Sequence, residues 1–311
     1  MIDFNKVKTY SSKRGTFKVK KRDFARAPRK RDSFLGFYQS LPSILKAKDL
    51  DNTVGAIIQA AKKKKPVIFM CGAHVIKCGL SPVVIELINK GMLTCLSLNG
   101  AGIIHDFEIA YQGTTSEDVA RSLSRGRFGM NRRTAQFLNQ AVSAGAVQGF
   151  GLGESVGEAM IKQRLPFANL SIICKAIKSG IPVTVHVAVG TDIIHQHPSF
   201  DAGLTADASL RDFRVLVEQV SRLGDGGVVL NFGSAVVLPE VFLKALNLAR
   251  NLRFRVRNFT TANFDMIYHY RPAENIVRRP VMPGGKGYYF VGHHEIMLPL
   301  LAQAVIEKLR R

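Results

Sequence analysis

Short, unbroken apolar runs alternate with segments of helical spacing along most of this chain, and that alternation narrows its choice of fold more than any other feature. A strand that is apolar at every position has to be covered on both faces, which is the situation of a parallel sheet flanked by helices. Runs of this kind stand at 65–71 (KPVIFMC), 92–98 (MLTCLSL), 181–189 (IPVTVHVAV), 227–231 (GVVLN), 254–259 and 286–291 (KGYYFV). Helical patterns are read between them at 82–91, with a proline at its start and a glycine at its end, and at 131–144, 170–179, 210–223, 239–251 and 296–309. In the polar segment 114–125, Thr115 or Ser116 is placed to cap a further helix. The expected fold class is therefore α/β, a Rossmann-like, mostly parallel sheet with helices on both faces. A length of 311 residues with 46% apolar content suits one such domain, read as 51–311, after a basic arm and lead-in helix in 1–50.

Charge departs from the ordinary. There are 44 basic and 23 acidic residues, a net of +21, and residues 1–33 alone hold twelve Lys/Arg against three Asp, or +9. A second basic run, Lys62 to Lys65, precedes Pro66. A field of this sign attracts polyanions and acidic proteins, so residues 1–33 are expected to hold a nucleic acid or an acidic protein, or to lie on a neighbouring subunit. The aromatics Tyr10, Phe17 and Phe24 have no spacing that resembles a base-stacking platform. No apolar stretch reaches the roughly 18–20 residues of a membrane span, and the start MIDFNKVK has no apolar signal core, so a cytoplasmic protein without membrane contact is expected. The cysteines, Cys71, Cys78, Cys95 and Cys174, form no CxxC pair and are read as buried thiols without disulfides or zinc. The knots His195-Gln196-His197 and His293-His294-Glu295 lack a recognisable third partner, and no metal is expected.

In doubly wound sheets, ligands bind at the carboxyl ends of the strands. Three such ends carry chemistry: Gly72-Ala73-His74 after the first run, the turn NGAGIIHDFE (99–108) after the second, and Gly190-Thr191-Asp192 after the third. Small residues let a ligand approach the backbone, helix-opening amides can hold a phosphate, and the adjacent His105 and Asp106 supply a titratable proton carrier and a carboxylate. The glycine run 149–157 follows a helical pattern and not a strand, so it is read as a flexible bend and not as a dinucleotide fingerprint. The segment Phe259 to Asp265 reads as a strand end, where hydroxyls, an amide and an acid can meet a ribose or nicotinamide group or cap a turn.

These residues resemble the deoxyhypusine synthase family. The resemblance lies in HVIKCGLS and NGAGIIHDFEIA, then in Thr261-Ala262, Phe264-Asp265 and Arg271-Pro272-Ala273-Glu274, and finally in GYYFVGHHEIMLPLL, in that order from about Val67 onward. It implies a homotetramer with NAD at subunit interfaces, and an enzyme that oxidises an amine with NAD and passes an aminobutyl group through a lysine. Carried over by position, the NAD contacts fall at His74, Asn99, Gly100, Ala101, Gly102, Asp106, Asp192, Gly233, Thr261, Ala262 and Asp265, and the polyamine-binding acids at Asp192 and Glu274.

The departures shape the expected function. The family's nucleophilic lysine falls on Pro280, with Lys286 the nearest lysine; its covering aromatic falls on Arg278, its glutamate after the double glycine on His105, and its catalytic histidine on Leu238 or Pro239. Proline cannot form an imine, so deoxyhypusine formation is not expected unless Lys286 reaches the site. Arg278, Arg279 and His105 point to an anionic or neutral substrate. The turn NGAGIIHDFE also resembles that of the archaeal-type ornithine cyclodeaminase domain, which implies NAD-dependent ammonia release without a lysine nucleophile. The leading reading is thus an NAD-dependent, transferase-like enzyme acting by hydride transfer on an amine or similar small substrate, with His105 as acid/base, Asp106 and Glu108 orienting, and Glu274 and Asp192 at the substrate. The other reading is a binding module whose basic arm does the work.

Overall fold

The computed structural model describes residues 2–309; residue 1 of the basic arm and residues 310 and 311 of the α/β domain lie outside the described residues. The chain divides into two compact units, Met1–Asp51 and Asn52–Arg311. In the first, only single 3-10 turns interrupt an irregular path before helix α1 (Phe34–Ser40), which Ser33 caps by accepting from the Gly36 amide. Helix α2 spans Leu45–Lys62.

The second unit is built on six parallel strands: β1 (Val67–Cys71), β2 (Cys95–Asn99), β3 (Val183–His186), β4 (Val228–Phe232), β5 (Thr260–Asp265) and β6 (Lys286–Val291). Their order, β3-β2-β1-β4-β5-β6, reverses direction between β1 and β4, which makes that gap the topological switch point of a doubly wound sheet. β1 and β4 are buried at every position, β1 as its continuous apolar run requires and β4 even at its polar Asn231. One face carries a core of Ile68, Met70, Val229, Leu216, Phe242 and neighbours. Across the sheet, Phe69, Phe232, Phe264 and Phe290 stack in a row at centroid separations of 5.3, 4.3 and 4.6 Å.

The helices that position the site follow from local chemistry. After α3 (His74–Lys77), α4 (Ser81–Asn89) opens on Pro82 and is followed by Gly91 in the left-handed region. Helix α5 (Gly100–Gln112) is capped by Asn99, whose side chain accepts from the Gly102 amide, and stops at left-handed Gly113. Next comes α6 (Val119–Leu123), capped by Asp118; the expected caps, Thr115 and Ser116, are not used, because the Thr115 hydroxyl turns back onto α5. Then follow α7 (Arg132–Val147) and α8 (Leu152–Lys162).

The glycine run is thus not a flexible bend but the start of α8. A Cβ on Gly153 would stand 2.3 Å from the Val183 carbonyl oxygen, so only glycine lets this helix press on β3. The Asp212 carboxylate clamps the contact by accepting from the amides of Gly153 (2.9 Å) and Val185 (2.7 Å). Helix α9 (Ile172–Lys178) is followed by α10 (Ala202–Ser221) and α11 (Val237–Asn251). Past β5 come α12 (Tyr270–Pro272) and a π-helical turn, Ala273–Arg278; α13 (His294–Leu309) closes the unit.

One expected strand is misplaced. Residues 254–259 alternate Phe, Arg and Val as a strand would, yet Arg253 and Asn258 adopt positive φ and break the extended path, and the Arg250 guanidinium binds the Val256 carbonyl. The strand is instead TTANFD itself. Two of its polar side chains bond within the fold: Thr261 donates to the Ile276 carbonyl at 2.7 Å, and Asn263 accepts from Asn231 of β4 at 2.6 Å.

Candidate active site

Chemistry-bearing side chains gather in two places at the carboxyl ends of the strands. The first lies over the start of α5, where a cavity of about 210 Å³ is lined by Lys77, Ala101, His105, Glu108, Glu117 and Asp192 among others. His105 Nδ1 lies 2.6 Å from the Thr115 hydroxyl, which in turn donates to Glu108 Oε2 at 2.5 Å. Since that hydroxyl gives its proton to the carboxylate, it accepts from Nδ1–H. The relay therefore fixes the tautomer and leaves the lone pair on Nε2. Thr134 donates to the other oxygen of Glu108 at 3.4 Å. Burial, reinforced by the Lys77 charge, lowers the His105 pKa to about 4, so the ring is neutral at physiological pH.

Asp192 closes this cavity from the β3 side. Its Oδ2 lies 1.9 Å from where a Cβ on Gly100 would be, so glycine is required there, and burial raises its pKa to about 6. Asp192 thus brings a carboxyl group to the helix start whose amides were read as a phosphate site. His195 Nδ1 accepts from the amides of Gly190 and Asp192, and its buried Nε2–H, unpartnered, stands 3.9 Å from Asp192 Oδ2.

The second place is the switch point. Gly72 follows β1 and Gly233, with φ +65, follows β4; a Cβ on Gly72 would stand 2.6 Å from the Gly233 carbonyl oxygen, and one on Gly233 would stand 2.6 Å from His294 Nε2. His74 packs edge-on against His294, with ring centroids 5.7 Å apart. Asp265, the last residue of β5, accepts from the Met266 amide with one oxygen. Its other oxygen, His294 Nδ1, Asn231 Oδ1 and Asn263 Nδ2 are buried without a hydrogen-bond partner. Since such atoms are costly to leave unpaired, these four fit a ligand that brings its own donors and acceptors to the crevice, as NAD would. The turn after β1 lacks the dinucleotide glycine fingerprint, and α3 is only four residues long.

Of the residues singled out from sequence, His105, Glu108, Ala101 and Asp192 come together at the cavity, with Asn99, Gly100 and Gly102 forming the helix start beneath it. His74, Gly233 and Asp265 mark the switch point. Four lie elsewhere. Asp106 is fully buried on the far side of α5, where it accepts from the Ser171 hydroxyl and from the amides of Ile172 (2.9 Å) and Ile173 (3.4 Å), anchoring the start of α9. Thr261 and Ala262 sit inside β5, buried, before its carboxyl end is reached. Glu274 is held by Arg278 at 2.8 Å and Arg279 at 3.2 Å on the π-helical turn, which lowers its pKa. Arg278 and Arg279 are thereby spent on Glu274, and neither lines the cavity.

Lys286 opens β6 in register with Thr260, so it stands at the amino edge of the sheet, opposite the cavity. Among the described residues, no group of three or more His, Cys, Asp or Glu is placed to hold a metal, and no helix is long and apolar enough to cross a membrane. Sequence reading missed Thr115 as the relay and the strand-borne Asn231, whose signal was a polar residue inside an otherwise apolar run; Asn263 was the amide singled out in the 259–265 segment.

No family model and no curated protein matches this chain. Solved structures do. A protein assigned as LOR/SDH from Methanococcus maripaludis S2 superposes with a TM-score of 0.56 at 14% identity, covering 86% of this chain and 71% of that one. AgrE, solved in ternary complex with ornithine and NAD+, gives 0.50 at 14% identity over 84% of this chain and 33% of that one. A structure assigned as a deoxyhypusine synthase from Entamoeba histolytica gives 0.48 at 12% identity over 89% and 94%. The chain spans about a third of the length of AgrE and of the cyanobacterial arginine dihydrolase ArgZ. The class is thereby defined as a Rossmann-like, doubly wound α/β fold, shared with a protein solved in complex with NAD+.

Proposed function

We propose that this chain is an NAD-dependent enzyme that oxidises a small amine, with His105 as its proton acceptor. The observation that carries the reading is the His105–Thr115–Glu108 relay beside the cavity, since a neutral imidazole with Nδ1–H fixed offers Nε2 as a base. His74, Gly233, Asp265 and His294 are the residues that would hold NAD at the switch point, and NAD supplies the hydride acceptor when bound. Glu108, Glu117 and Asp192 line the cavity against Lys77 alone, which favours a cationic amine over the anionic or neutral substrate expected from sequence. Asp192 and Glu117 orient the substrate nitrogen, His105 Nε2 takes a proton from it, and Thr115 with Glu108 holds the ring in the Nδ1–H tautomer that leaves Nε2 free to do so. Release of ammonia from an amino-acid substrate, as the ornithine cyclodeaminase resemblance implies, fits the same acidic cavity.

Two features support an enzyme other than a deoxyhypusine former: Pro280 stands at the nucleophile position and Lys286 at the opposite edge. The homotetramer implied by the resemblance is part of the proposal. It is supported by exposed apolar side chains at the carboxyl rim, among them Ile267, Tyr268, Tyr270, Val291 and Ile296. Calorimetric titration with NAD, followed by a screen of amines at the nicotinamide absorbance band, tests the reading. Binding together with turnover that His105→Ala abolishes is expected; no binding at millimolar NAD overturns it.

A further inference from the structure

The basic arm carries a feature that only the structure discloses, the exposure of its aromatic rings. Phe4, Tyr10, Phe17 and Phe24 are 81%, 73%, 62% and 67% exposed, although each is a side chain that water disfavours. They recur at intervals of six, seven and seven residues, and the stretches between them carry Lys6 and Lys8, then Lys13 and Arg14, then Lys18 to Arg22. Among the described residues, the arm is tied down at its root: the Arg26 amide donates to the Ser40 carbonyl at 2.9 Å, and the Ser43 amide donates to the Asp23 carbonyl at 3.1 Å.

We infer that residues 2–33 bind single-stranded nucleic acid, with the cations neutralising phosphates and the four aromatic rings each stacking on a base. A folded platform is not needed for this, because an extended chain can present each ring singly, and stacking tolerates any base. Two rivals fit the observations less well. An anionic membrane surface favours a continuous apolar face on a helix, whereas no helix in residues 2–33 exceeds one 3-10 turn and the rings are separated by charge. A second copy of this chain opposes the arm electrostatically: beyond residue 33 the chain keeps 32 basic and 20 acidic residues, so +9 would meet +12.

The test is fluorescence anisotropy of the full chain with a labelled oligouridine RNA across a salt series, with phosphatidylserine vesicles as competitor. Expected is binding whose logarithm falls linearly with the logarithm of salt. Replacing Lys20, Lys21 and Arg22 by Glu should weaken it about tenfold or more and flatten the salt slope. Replacing Phe4, Tyr10, Phe17 and Phe24 together by Ala should weaken it at least about tenfold with the slope unchanged, a readout that charge alone would not give. The inference is overturned by absence of RNA binding at low salt, by equal binding of the charge-reversed variant, or by displacement of the RNA by the vesicles. NAD titration of the same variants should be unaltered, so a failure here is separable from a failure of the enzyme reading.

Discussion

At the residue scale, His105 and Thr115 do different work. His105→Ala removes the base and should lower turnover by about 10²–10⁴-fold while leaving NAD affinity within twofold. Thr115→Val leaves the ring in place but frees its tautomer. It should cost about tenfold in kcat with little change in KM, measured by steady-state kinetics on the amine found in the screen. Neutral His105, with its pKa near 4, does not limit activity on the acid side; Asp192, raised to about 6 by burial, does. A kcat/KM profile is therefore expected to fall below pH 6, and Asp192→Asn should remove that limb while raising KM. Asp106 tests the opposite role. Because its carboxylate is buried and anchors α9, Asp106→Ala should destabilise the fold by about 3–5 kcal/mol in urea denaturation.

At the element scale, α8 shows how a glycine run becomes a packing device. A Cβ at Gly153 would drive the helix off the Val183 carbonyl, so Gly153→Ala should cost about 1–3 kcal/mol even though alanine is the better helix former. The same contact is linked to protons through Asp212, whose pKa burial raises to about 7 against the pull of the Gly153, Val185 and Leu152 amides. A carboxyl whose folded pKa lies above its unfolded value contributes stability at low pH, and loses it as pH rises through the folded value. Wild-type stability should thus decline between about pH 4 and 7 relative to Asp212→Asn, as the difference between their urea midpoints across that window will show. The alternation of apolar runs and helices was enough to place five of the six strands, because buried parallel strands must be apolar throughout. β5 escaped because Thr261 and Asn263 find partners on the π-helical turn and the neighbouring strand, a compensation no local window contains.

At the scale of the whole molecule, the sheet sorts the chain into two ends. Its carboxyl end collects the relay, the orphaned polar atoms and an exposed apolar rim, while Lys286 is carried to the other end. If the rim is the surface that builds the proposed homotetramer, light scattering of the purified chain will give four subunits. Ile267→Asp with Tyr270→Asp should then split it into smaller species without loss of secondary structure. A monomer in the wild type would leave the rim without that role.

What the sequence determined by itself was the fold class, most strand and helix positions, the charge of the arm and the turn at 99–108. All of these are written in local pattern and composition. Helical spacing also puts Glu108, one turn beyond His105, on the same face and turns Asp106 about 100° away from it. The tertiary structure alone decided that Thr115, ten residues beyond His105, returns to complete the relay, and that Arg278 and Arg279 close on Glu274. Such pairings depend on where the chain goes after it leaves an element, and that is set by packing across the whole sheet.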